Sequence, residues 1–494
     1  MIKQNNINII SFLINISLIL IIINSQEIEI PLKLINSTFS KYPIPKTINI
    51  KKNSLMNIKT FEKKHRIFLS DSQSILRANI DILSCLLFAG EIEIGSNNQK
   101  FNVILDTGSQ ILWIPEINSN NSNLKIKNYY NPSISKTSKK TNQGFEMLYG
   151  TGYCKGYFYQ DEINFLTKEK YSIFFGSANN SIFDVDGADG IMGLAKTYPN
   201  YLYSPLLILK KNGIIKTSSF SFKYNNKNKQ IIFYVGKPHS DFNTDNVASC
   251  NLLSKSYYEK LLWACQLNKF GLLKNINNIK DEENIFAEED ISIIFDTGTN
   301  LMILPYYFIY SLKEKLRKFN CVIGTSPNDD SEEETNYIIC LDIYNIPDVS
   351  LQFGDYVLIL DKYKMFFIID LGLDIKGYIL NIQFKRNLDV AIIGQNFFIE
   401  FHTLFDSEKQ VLKFYNEDKS KIINLKNYFS ADYENEGESS IGLFIFILII
   451  ILLAVFLYYK YKNRQKDDNY TMEWMGDKSK FSNINTRNDY KEMI

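Results

Sequence analysis

A repeated segment constrains this chain more than any other feature of its sequence. Residues 101–115 (FNVILDTGSQILWIP) align with residues 291–305 (ISIIFDTGTNLMILP) without a gap, and the apolar positions coincide almost throughout. Each copy is an apolar run of strand length that ends in Asp-Thr-Gly, at Asp106 and at Asp296. Two similar lobes, each carrying one such loop, form the simplest architecture that accounts for the repeat.

Short apolar runs separated by glycine and polar clusters indicate a mostly β protein from about residue 85 onward. The expected strands include residues 101–105, 171–175, 231–235, 291–295 and 357–360. The 31 tyrosines and 35 phenylalanines suit this reading, because aromatic side chains pack well on a pleated surface. One clear helical pattern covers residues 306–319. We expect the N-terminal lobe over residues 81–215 and the C-terminal lobe over residues 216–430.

The two Asp-Thr-Gly loops place acidic groups at the ends of the repeated strands. Glycine permits a tight backbone path, and backbone N–H and hydroxyl groups can then fix the orientation of the carboxylate. Two carboxylates in contact share one proton, so one can activate a water while the other protonates a carbonyl oxygen. This pairing predicts hydrolysis of a peptide bond without a covalent intermediate. Two purely structural turns are the alternative, which the shared frame of the two copies disfavours.

Together these motifs resemble the pepsin-like aspartic proteases over roughly residues 80–420. Those enzymes, the standard example of two carboxylates sharing a proton, are mostly β and bilobal, with an inter-lobe cleft under a hairpin flap. The resemblance implies that Asp106 and Asp296 are the catalytic pair, acting on polypeptides without a cofactor. The segments 190–193 (GIMG) and 391–394 (AIIG) are similar to those that complete the loop crossing in each lobe of the family.

The resemblance also assigns roles to residues near the two aspartates. Ser109 and Thr299 fall on the hydroxyl residues that hydrogen-bond the aspartate pair. Tyr149 falls on the flap tyrosine, within a glycine-rich hairpin-turn pattern, and Trp113 falls on the tryptophan that supports it. Further residues expected to support the site or contact the substrate are Thr107, Gly108, Gly150, Thr151, Thr297 and Gly298. The sequence departs from the family at Gln395, where an aspartate is common.

Two apolar segments frame the chain. Residues 1–25 combine a short basic start, an apolar stretch and a polar exit, which predicts a secretory signal peptide; an N-terminal anchor helix is the alternative. The uncharged run 441–459 is long enough to cross a bilayer as a helix. An acidic stalk, 431–440, precedes it and a segment that begins with basic residues, 460–494, follows, so the positive-inside rule predicts a cytoplasmic tail. We expect a single-pass type I membrane protein with a lumenal or extracellular catalytic part.

The zone 26–80 differs in charge from the rest of the chain. Between residues 33 and 66 it carries nine Lys or Arg against one acid. We interpret the zone as an inhibitory propeptide whose basic side chains, at residues 51–52 or 63–64, lie against the acidic pair. A solvated basic linker is the alternative.

The cysteine content indicates disulfides in an oxidising compartment. The six cysteines are Cys85, Cys154, Cys250, Cys265, Cys321 and Cys340. Resemblance to the family implies a Cys321–Cys340 bridge in the second lobe. Cys250 and Cys265 could bridge neighbouring strands, and Cys85 and Cys154 could tie the entry of the chain to the base of the flap, although six cysteines allow many other pairings.

Composition excludes several other classes of function. A formal net charge of +1 leaves no electrostatic footprint for nucleic acid. With three histidines and no Cys-x-x-Cys pair, a zinc site is not expected. Two Asp loops in one chain exclude the dimeric type of aspartic protease and predict a monomer. The competing function is a catalytically silent surface protein that binds peptides on the same fold, which the intact aspartates argue against.

Overall fold

The computed structural model describes most of the region between residue 86 and residue 427, together with short flanking segments. The described residues are 28–36, 47–51, 75–79, 86–121, 126–149, 152–165, 170–182, 187–196, 204–227, 230–236, 238–273, 285–325, 335–370, 376–427, 451–458 and 460. The chain divides into two compact units, Met1–Leu425 and Lys426–Ile494. The predicted signal peptide lies outside the described residues.

The first unit is mostly β, as the spacing of short apolar runs predicts. Its strands are β1 (Ile28–Asn36), β2 (Thr47–Lys51), β3 (Ile75–Asn79), β4 (Leu86–Ile94), β5 (Gln99–Asp106), β6 (Leu112–Asn121), β7 (Lys139–Tyr149), β8 (Gly152–Asn164), β9 (Tyr171–Ile182), β10 (Gly190–Gly193), β11 (Phe220–Asn225), β12 (Gln230–Val235), β13 (Val247–Asn251), β14 (Ala264–Leu273), β15 (Ile285–Phe295), β16 (Met302–Pro305), β17 (Cys321–Thr325), β18 (Thr335–Cys340), β19 (Asp348–Phe353), β20 (Tyr356–Leu360), β21 (Phe366–Asp370), β22 (Lys376–Leu380), β23 (Ile382–Lys385), β24 (Ala391–Ile393), β25 (His402–Asp406), β26 (Val411–Tyr415) and β27 (Ile422–Asn424). The five strands expected from the sequence are confirmed within β5, β9, β12, β15 and β20.

Helices are short and few among the described residues of this unit. They are α1 (Pro205–Lys211), α2 (Tyr257–Leu261), α3 (Tyr307–Arg317), α4 (Lys362–Met365) and α5 (Gln395–Glu400), with 3-10 segments η1 (Pro132–Ile134), η2 (Ser240–Asn243) and η3 (Lys419–Lys421). The longest, α3, is the helix that the sequence predicts. Its buried side chains, Phe308, Ile309, Leu312 and Leu316, recur at helical spacing and therefore lie on one face.

The strands form two large sheets. The first runs β13-β26-β25-β11-β12-β1-β4-β5-β10-β6-β9-β8-β7, and an additional β4–β8 pairing closes part of it into a ring. The second runs β17-β2-β3-β21-β22-β18-β23-β16-β24-β15-β14-β19-β20-β27, with a closing β17–β18 pairing. Each sheet contains one of the two strands that deliver an aspartate, so the bilobal fold is confirmed.

The same crossing occurs in both lobes. Strand β10 lies parallel to β5, with Gly193 opposite Asp106, and antiparallel to β6. Strand β24 likewise lies parallel to β15 and antiparallel to β16. The two short repeats, 190–193 and 391–394, therefore occupy equivalent places, each beside the strand that carries an aspartate.

Several aromatic residues pack in a hydrophobic core that contains side chains from both sheets. Phe220 stacks on Phe405 with ring centroids 4.8 Å apart, and Trp263 meets both rings edge-on. These rings are buried, and burial of such a side chain stabilises the fold by about 1.5–3 kcal/mol. These aromatic contacts therefore stabilise the part of the first sheet that contains β11 and β25.

The described part of the basic zone 26–80 belongs to these sheets. Strand β1 pairs with β12 on one side and with β4 on the other. Strands β2 and β3 pair with each other and lie between β17 and β21. Lys51 is the last residue of β2, where it pairs with Ile75. The other basic residues proposed to lie against the acidic pair, 52 and 63–64, are outside the described residues.

Two disulfides confirm two of the three expected pairs. Cys321 and Cys340 are direct partners on β17 and β18, and Cys250 on β13 is bonded to Cys265 on β14. The prediction of a Cys85–Cys154 bridge is wrong, because Cys154 is a free, buried thiol. It lies in β8 between Met147 of β7 and Ser181 of β9, and its side chain is buried in an apolar cluster that includes Trp113 and Phe158. Cys85 is outside the described residues.

In the second unit, the described residues 451–458 are helical, and their side chains are exposed. Across the described parts of the chain, no helix reaches the length and apolar character needed to span a membrane. Most of the predicted membrane helix, the stalk 431–440 and all but residue 460 of the predicted tail lie outside the described residues.

Candidate active site

The two repeated loops deliver Asp106 and Asp296 to buried positions. Asp106 is the last residue of β5, and Asp296 directly follows β15. Each carboxylate accepts a hydrogen bond from the glycine two residues later: Gly108 N is 2.8 Å from Asp106 Oδ1, and Gly298 N is 2.9 Å from Asp296 Oδ1. The two residues are 4% and 1% exposed, so the backbone of each loop fixes its carboxylate in a buried position.

Each glycine also lies against the opposite carboxylate. A Cβ atom added to Gly108 would lie 2.6 Å from both carboxylate oxygens of Asp296. A Cβ atom added to Gly298 would overlap the carboxylate of Asp106. Glycine is therefore required at both places by close approach, and the two carboxylates face one another across the boundary between the lobes.

Thr107 and Thr297 tie the two loops together. Thr107 Oγ1 donates to the Phe295 carbonyl at 2.7 Å and accepts from Thr297 N at 2.9 Å. Thr297 Oγ1 donates to the Leu105 carbonyl at 2.6 Å and accepts from Thr107 N at 3.0 Å. The four bonds are related by the 190-residue offset of the sequence repeat. The threonines thus hold the loops at a fixed separation, a geometry that the sequence alone does not specify.

The hydroxyl residues beyond the glycines differ between the two lobes. Thr299 Oγ1 donates to Asp296 Oδ2 at 2.9 Å, which is the contact that the resemblance implies. The buried Ser109 hydroxyl lies beside the Tyr149 phenol and does not hydrogen-bond Asp106. The two loops are therefore similar in backbone and different in the contact that their hydroxyl groups make.

Tyr149 and Trp113 meet near the tip of a hairpin. Strands β7 and β8 pair up to Tyr149 and Gly152, so the hairpin expected there is present; Gly150 and Thr151, between them, are outside the described residues. Trp113 Nε1 donates to the Tyr149 hydroxyl at 2.7 Å. Burial raises the pKa of Tyr149 well above its ordinary value, which keeps the phenol neutral.

Two residues near the aspartates have no counterpart in our sequence-based site. Trp263 Nε1 donates to the Leu194 carbonyl at 2.8 Å, while its own carbonyl accepts from Phe295 N at 2.9 Å. Leu194 N in turn donates to the Asp106 carbonyl at 2.7 Å, so Trp263 bridges the two loops. No sequence motif marks this tryptophan, because its partners are far away along the chain.

The second of these residues is Gln395, the position at which the sequence departs from the family pattern. Its backbone N–H donates to the Thr299 carbonyl at 2.9 Å, and its side-chain amide donates to the Thr297 carbonyl. The side chain is buried directly behind the Asp296 loop. An amide at this position therefore holds the loop by donating a hydrogen bond that a carboxylate could give only when protonated.

Comparison with known proteins agrees with this geometry. Residues 87–416 match the model of the eukaryotic aspartyl protease family. The chain is 25% identical over 333 residues to a vacuolar aspartic protease of Candida albicans, covering 65% of this chain and 73% of the relative. It is 27% identical over 271 residues to pepsin-3 of Oryctolagus cuniculus (53% and 63%) and 26% identical over 367 residues to plasmepsin IV of Plasmodium falciparum (70% and 72%).

The matched region covers both lobes and both Asp-Thr-Gly loops. The chain belongs to the eukaryotic aspartyl protease family, and it is an aspartic endopeptidase.

Proposed function

We propose that Asp106 and Asp296 are the catalytic residues of this endopeptidase and that a water held between them attacks the peptide bond. The observation that carries the proposal is the approach of the two buried carboxylates, each touching the glycine of the opposite loop. Two carboxylates in such proximity do not both ionise readily, so the pair would hold one proton between them, as is standard for aspartic proteases.

The shared proton allows the pair to act as base and acid in one step. The ionised carboxylate takes a proton from the water, and the protonated carboxyl donates to the substrate carbonyl oxygen, giving a tetrahedral intermediate. Gly108 N, Gly298 N and the Thr299 hydroxyl fix the carboxylate planes, so little reorganisation is needed during the reaction. No residue forms a covalent bond to the substrate.

The β7–β8 hairpin is proposed to close over an extended polypeptide substrate. Leu148, next to Tyr149, is 79% exposed and offers an apolar surface at the tip of the hairpin. The Trp113–Tyr149 hydrogen bond gives the hairpin a defined resting position. We expect cleavage between apolar or aromatic side chains, with the hairpin excluding water from the cleft.

We propose that the protein is anchored in a membrane, with its catalytic part lumenal or extracellular. Residues 1–25 would be the signal peptide, 26–80 an inhibitory propeptide, 81–215 and 216–430 the two lobes, 431–440 a stalk, 441–459 the membrane helix and 460–494 the cytoplasmic tail. The uncharged run and its basic C-terminal flank support the anchor. The exposed apolar side chains of the helical residues 451–458 also support it. We propose that the protein acts as a monomer, since both aspartates come from one chain.

The activity test uses full-length protein purified in detergent and an unfolded polypeptide substrate between pH 3 and pH 7. We expect acid-dependent cleavage that a pepstatin-type inhibitor blocks. Asp296→Asn and Asp106→Asn should each lower kcat by about 1000-fold or more, because each removes one partner of the acid–base pair. The control, Asp342→Asn, changes an exposed aspartate and should retain full activity.

Binding of a peptide inhibitor without turnover at any pH would instead support the silent peptide-binding protein. The anchor is tested separately by ending the chain after residue 440. This shortened protein should leave the membrane fraction, whereas the full chain should resist carbonate extraction. Retention of the shortened protein would place the anchor elsewhere, without bearing on catalysis.

A further inference from the structure

Two of the three histidines in the chain meet at one place on the first sheet. His402 is the first residue of β25, and His239 caps η2, the 3-10 segment between β12 and β13. Both ring Nδ1 atoms lie near the carboxylate of Asp241: His402 Nδ1 is 2.8 Å from Oδ2, and His239 Nδ1 is 3.2 Å from Oδ1. One ligand atom from each of the three residues lies within 4.8 Å of the others.

These atoms have the identity and spacing of ligands to a transition metal. Zinc binds imidazole nitrogen and carboxylate oxygen at about 2.0–2.2 Å in a tetrahedron, which places neighbouring ligand atoms about 3.3 Å apart. The His402 Nδ1–Oδ2 and His239 Nδ1–Oδ1 separations, 2.8 and 3.2 Å, are close to that value and involve the two different oxygens of Asp241. His239 Nδ1 also accepts a hydrogen bond from the Asp241 N–H at 3.2 Å, and a metal ion on this nitrogen would replace that bond.

The surroundings of His402 orient its ring for this role. His402 Nε2 lies 2.9 Å from Ser221 Oγ, so a proton on Nε2 can be donated to the serine while Nδ1 faces Asp241. A hydrogen bond from the other ring nitrogen typically fixes the tautomer of a metal-binding histidine. The side chain of His402 is 2% exposed, and those of His239 and Asp241 are 18% and 14% exposed. The cluster is therefore mostly buried, with His239 and Asp241 partly exposed to solvent.

A cavity adjoins the cluster at His402, whereas His239 and Asp241 do not line it. It has a volume of about 580 Å³ and is lined by His402, Lys223, Tyr234, Tyr415 and Glu417 among others. The side chains of His239 and Asp241 are partly open to solvent, so a water can supply the fourth position of a tetrahedral site beside three protein ligands.

Lys223 is the cation that now neutralises the cluster. Its Nζ atom lies 2.7 Å from Asp241 Oδ2 and 3.8 Å from Glu417 Oε1. The Glu417 side chain is 80% exposed at the rim. A divalent ion at Asp241 would repel Lys223, which can move toward Glu417 while it keeps an ion pair. Lys223 is therefore a built-in competitor, and its removal should strengthen metal binding.

We propose that His239, Asp241 and His402 form a binding site for one divalent transition-metal ion, with zinc as the best fit. The ion would join η2 to β25 and so stabilise the sheet shared with the N-terminal lobe. The two histidines are far apart in the chain and follow no metal-binding motif, so the sequence alone does not indicate such a site. The proposal does not depend on catalytic activity.

The test measures zinc binding to metal-free, full-length protein at neutral pH. Calorimetry gives the affinity, and metal analysis after gel filtration gives the number of zinc ions bound. The wild type should retain one zinc ion more than His239→Gln does. Its affinity for zinc should also be at least tenfold higher. Lys223→Met should bind zinc more tightly than the wild type. His65→Gln, which changes the third histidine, should bind as the wild type does.

A spectroscopic measurement keeps the test informative if a variant folds poorly. Cobalt(II) added to the wild type should give the intense visible absorption of a tetrahedral ion, which Mg²⁺ does not compete away. The same absorption from His239→Gln, or equal zinc content in the wild type and this variant, would overturn the proposal. So would loss of zinc from His65→Gln, which would place the ion elsewhere.

Discussion

Thr107 and Thr297 occupy equivalent positions in the repeat, and each hydroxyl serves as donor and acceptor across the lobe boundary. Because both side chains are fully buried, water cannot replace a bond that is lost. An unsatisfied buried polar group costs about 1–3 kcal/mol. The two threonines therefore fix how closely the Asp106 and Asp296 loops approach each other. Substitutions that remove either hydroxyl should destabilise the fold.

Substitution of one threonine tests this interpretation. Thr297→Val keeps the side-chain volume but leaves the Leu105 carbonyl and the Thr107 N–H without their partner, so we expect the free energy of unfolding to fall by about 2–5 kcal/mol. Thr297→Ser keeps the hydroxyl and should lose about 1 kcal/mol or less. Denaturant unfolding compares the two variants. Equal losses would assign the effect to the methyl group and contradict the role of the hydroxyl.

Individual residues show where sequence reasoning reached its limit. The aspartates and glycines could be placed because the loop carries its chemistry within four consecutive residues. Ser109 and Cys154 could not, because the contacts of a side chain depend on strands that are distant in sequence. Cys154 lies opposite Met147 and Ser181, and nothing near it in the chain indicates that its thiol is buried.

At the scale of elements, α2 is a five-residue helix held by its N-terminal cap. Ser256 Oγ accepts from Glu259 N at 3.2 Å, and Glu259 Oε2 accepts from Ser256 N at 2.8 Å, which is a capping box. Ser292 on β15 donates to Glu259 Oε1 at 2.6 Å, so the same carboxylate ties the helix to the strand that carries Asp296.

This carboxylate predicts a change in stability with pH. Burial opposes its ionisation, but hydrogen bonds from Ser292 and from the Ser256 and Lys255 N–H groups outweigh burial and hold the pKa of Glu259 below its ordinary value. A lowered folded-state pKa means that its stabilisation is present above the unfolded value of 4.5 and is lost as pH falls through the folded value. An acid-active protease would thus lose part of this support at low pH.

We expect Glu259→Gln to lower the melting temperature at pH 6 and to have less effect at pH 3. Thermal unfolding at the two pH values measures the difference. The control, Glu408→Gln, changes a half-exposed glutamate paired with Lys210 and should shift the melting temperature little at either pH. A constant difference between wild type and Glu259→Gln at both pH values would show that the ionised form makes no special contribution.

The elements were largely predictable where pattern and partner lie close together. Strands such as β5 and β15 could be predicted from apolar runs, and α3 from its period and its preceding proline. Strands β1, β2 and β3 were not expected, since charge dominates the zone that contains them. Their strand conformation comes from partners such as β12 and β17, which lie hundreds of residues further along the chain.

At the scale of the whole molecule, these three strands make the basic zone part of both lobes. Strand β1 connects β12 to β4 in the first sheet. Strands β2 and β3 complete a ring in the second sheet, in the order β17-β2-β3-β21-β22-β18, which the β17–β18 pairing closes. Without them, β12, β17 and β21 would each present unpaired backbone groups, and exposed strand edges favour aggregation.

Deletion of residues 26–80 from the coding sequence should therefore impair folding and not only remove an inhibitor. A protein in which the signal peptide is joined directly to residue 81 should give a much lower yield of soluble, monomeric protein than the full chain. Adding residues 26–80 as a separate polypeptide during refolding should restore part of the yield, because its strands can still pair with β12, β4, β17 and β21. A peptide of the same composition in scrambled order is the control. If the shortened protein instead folds in normal yield with an unchanged melting temperature, the three strands are dispensable and the zone acts only as an inhibitor or linker.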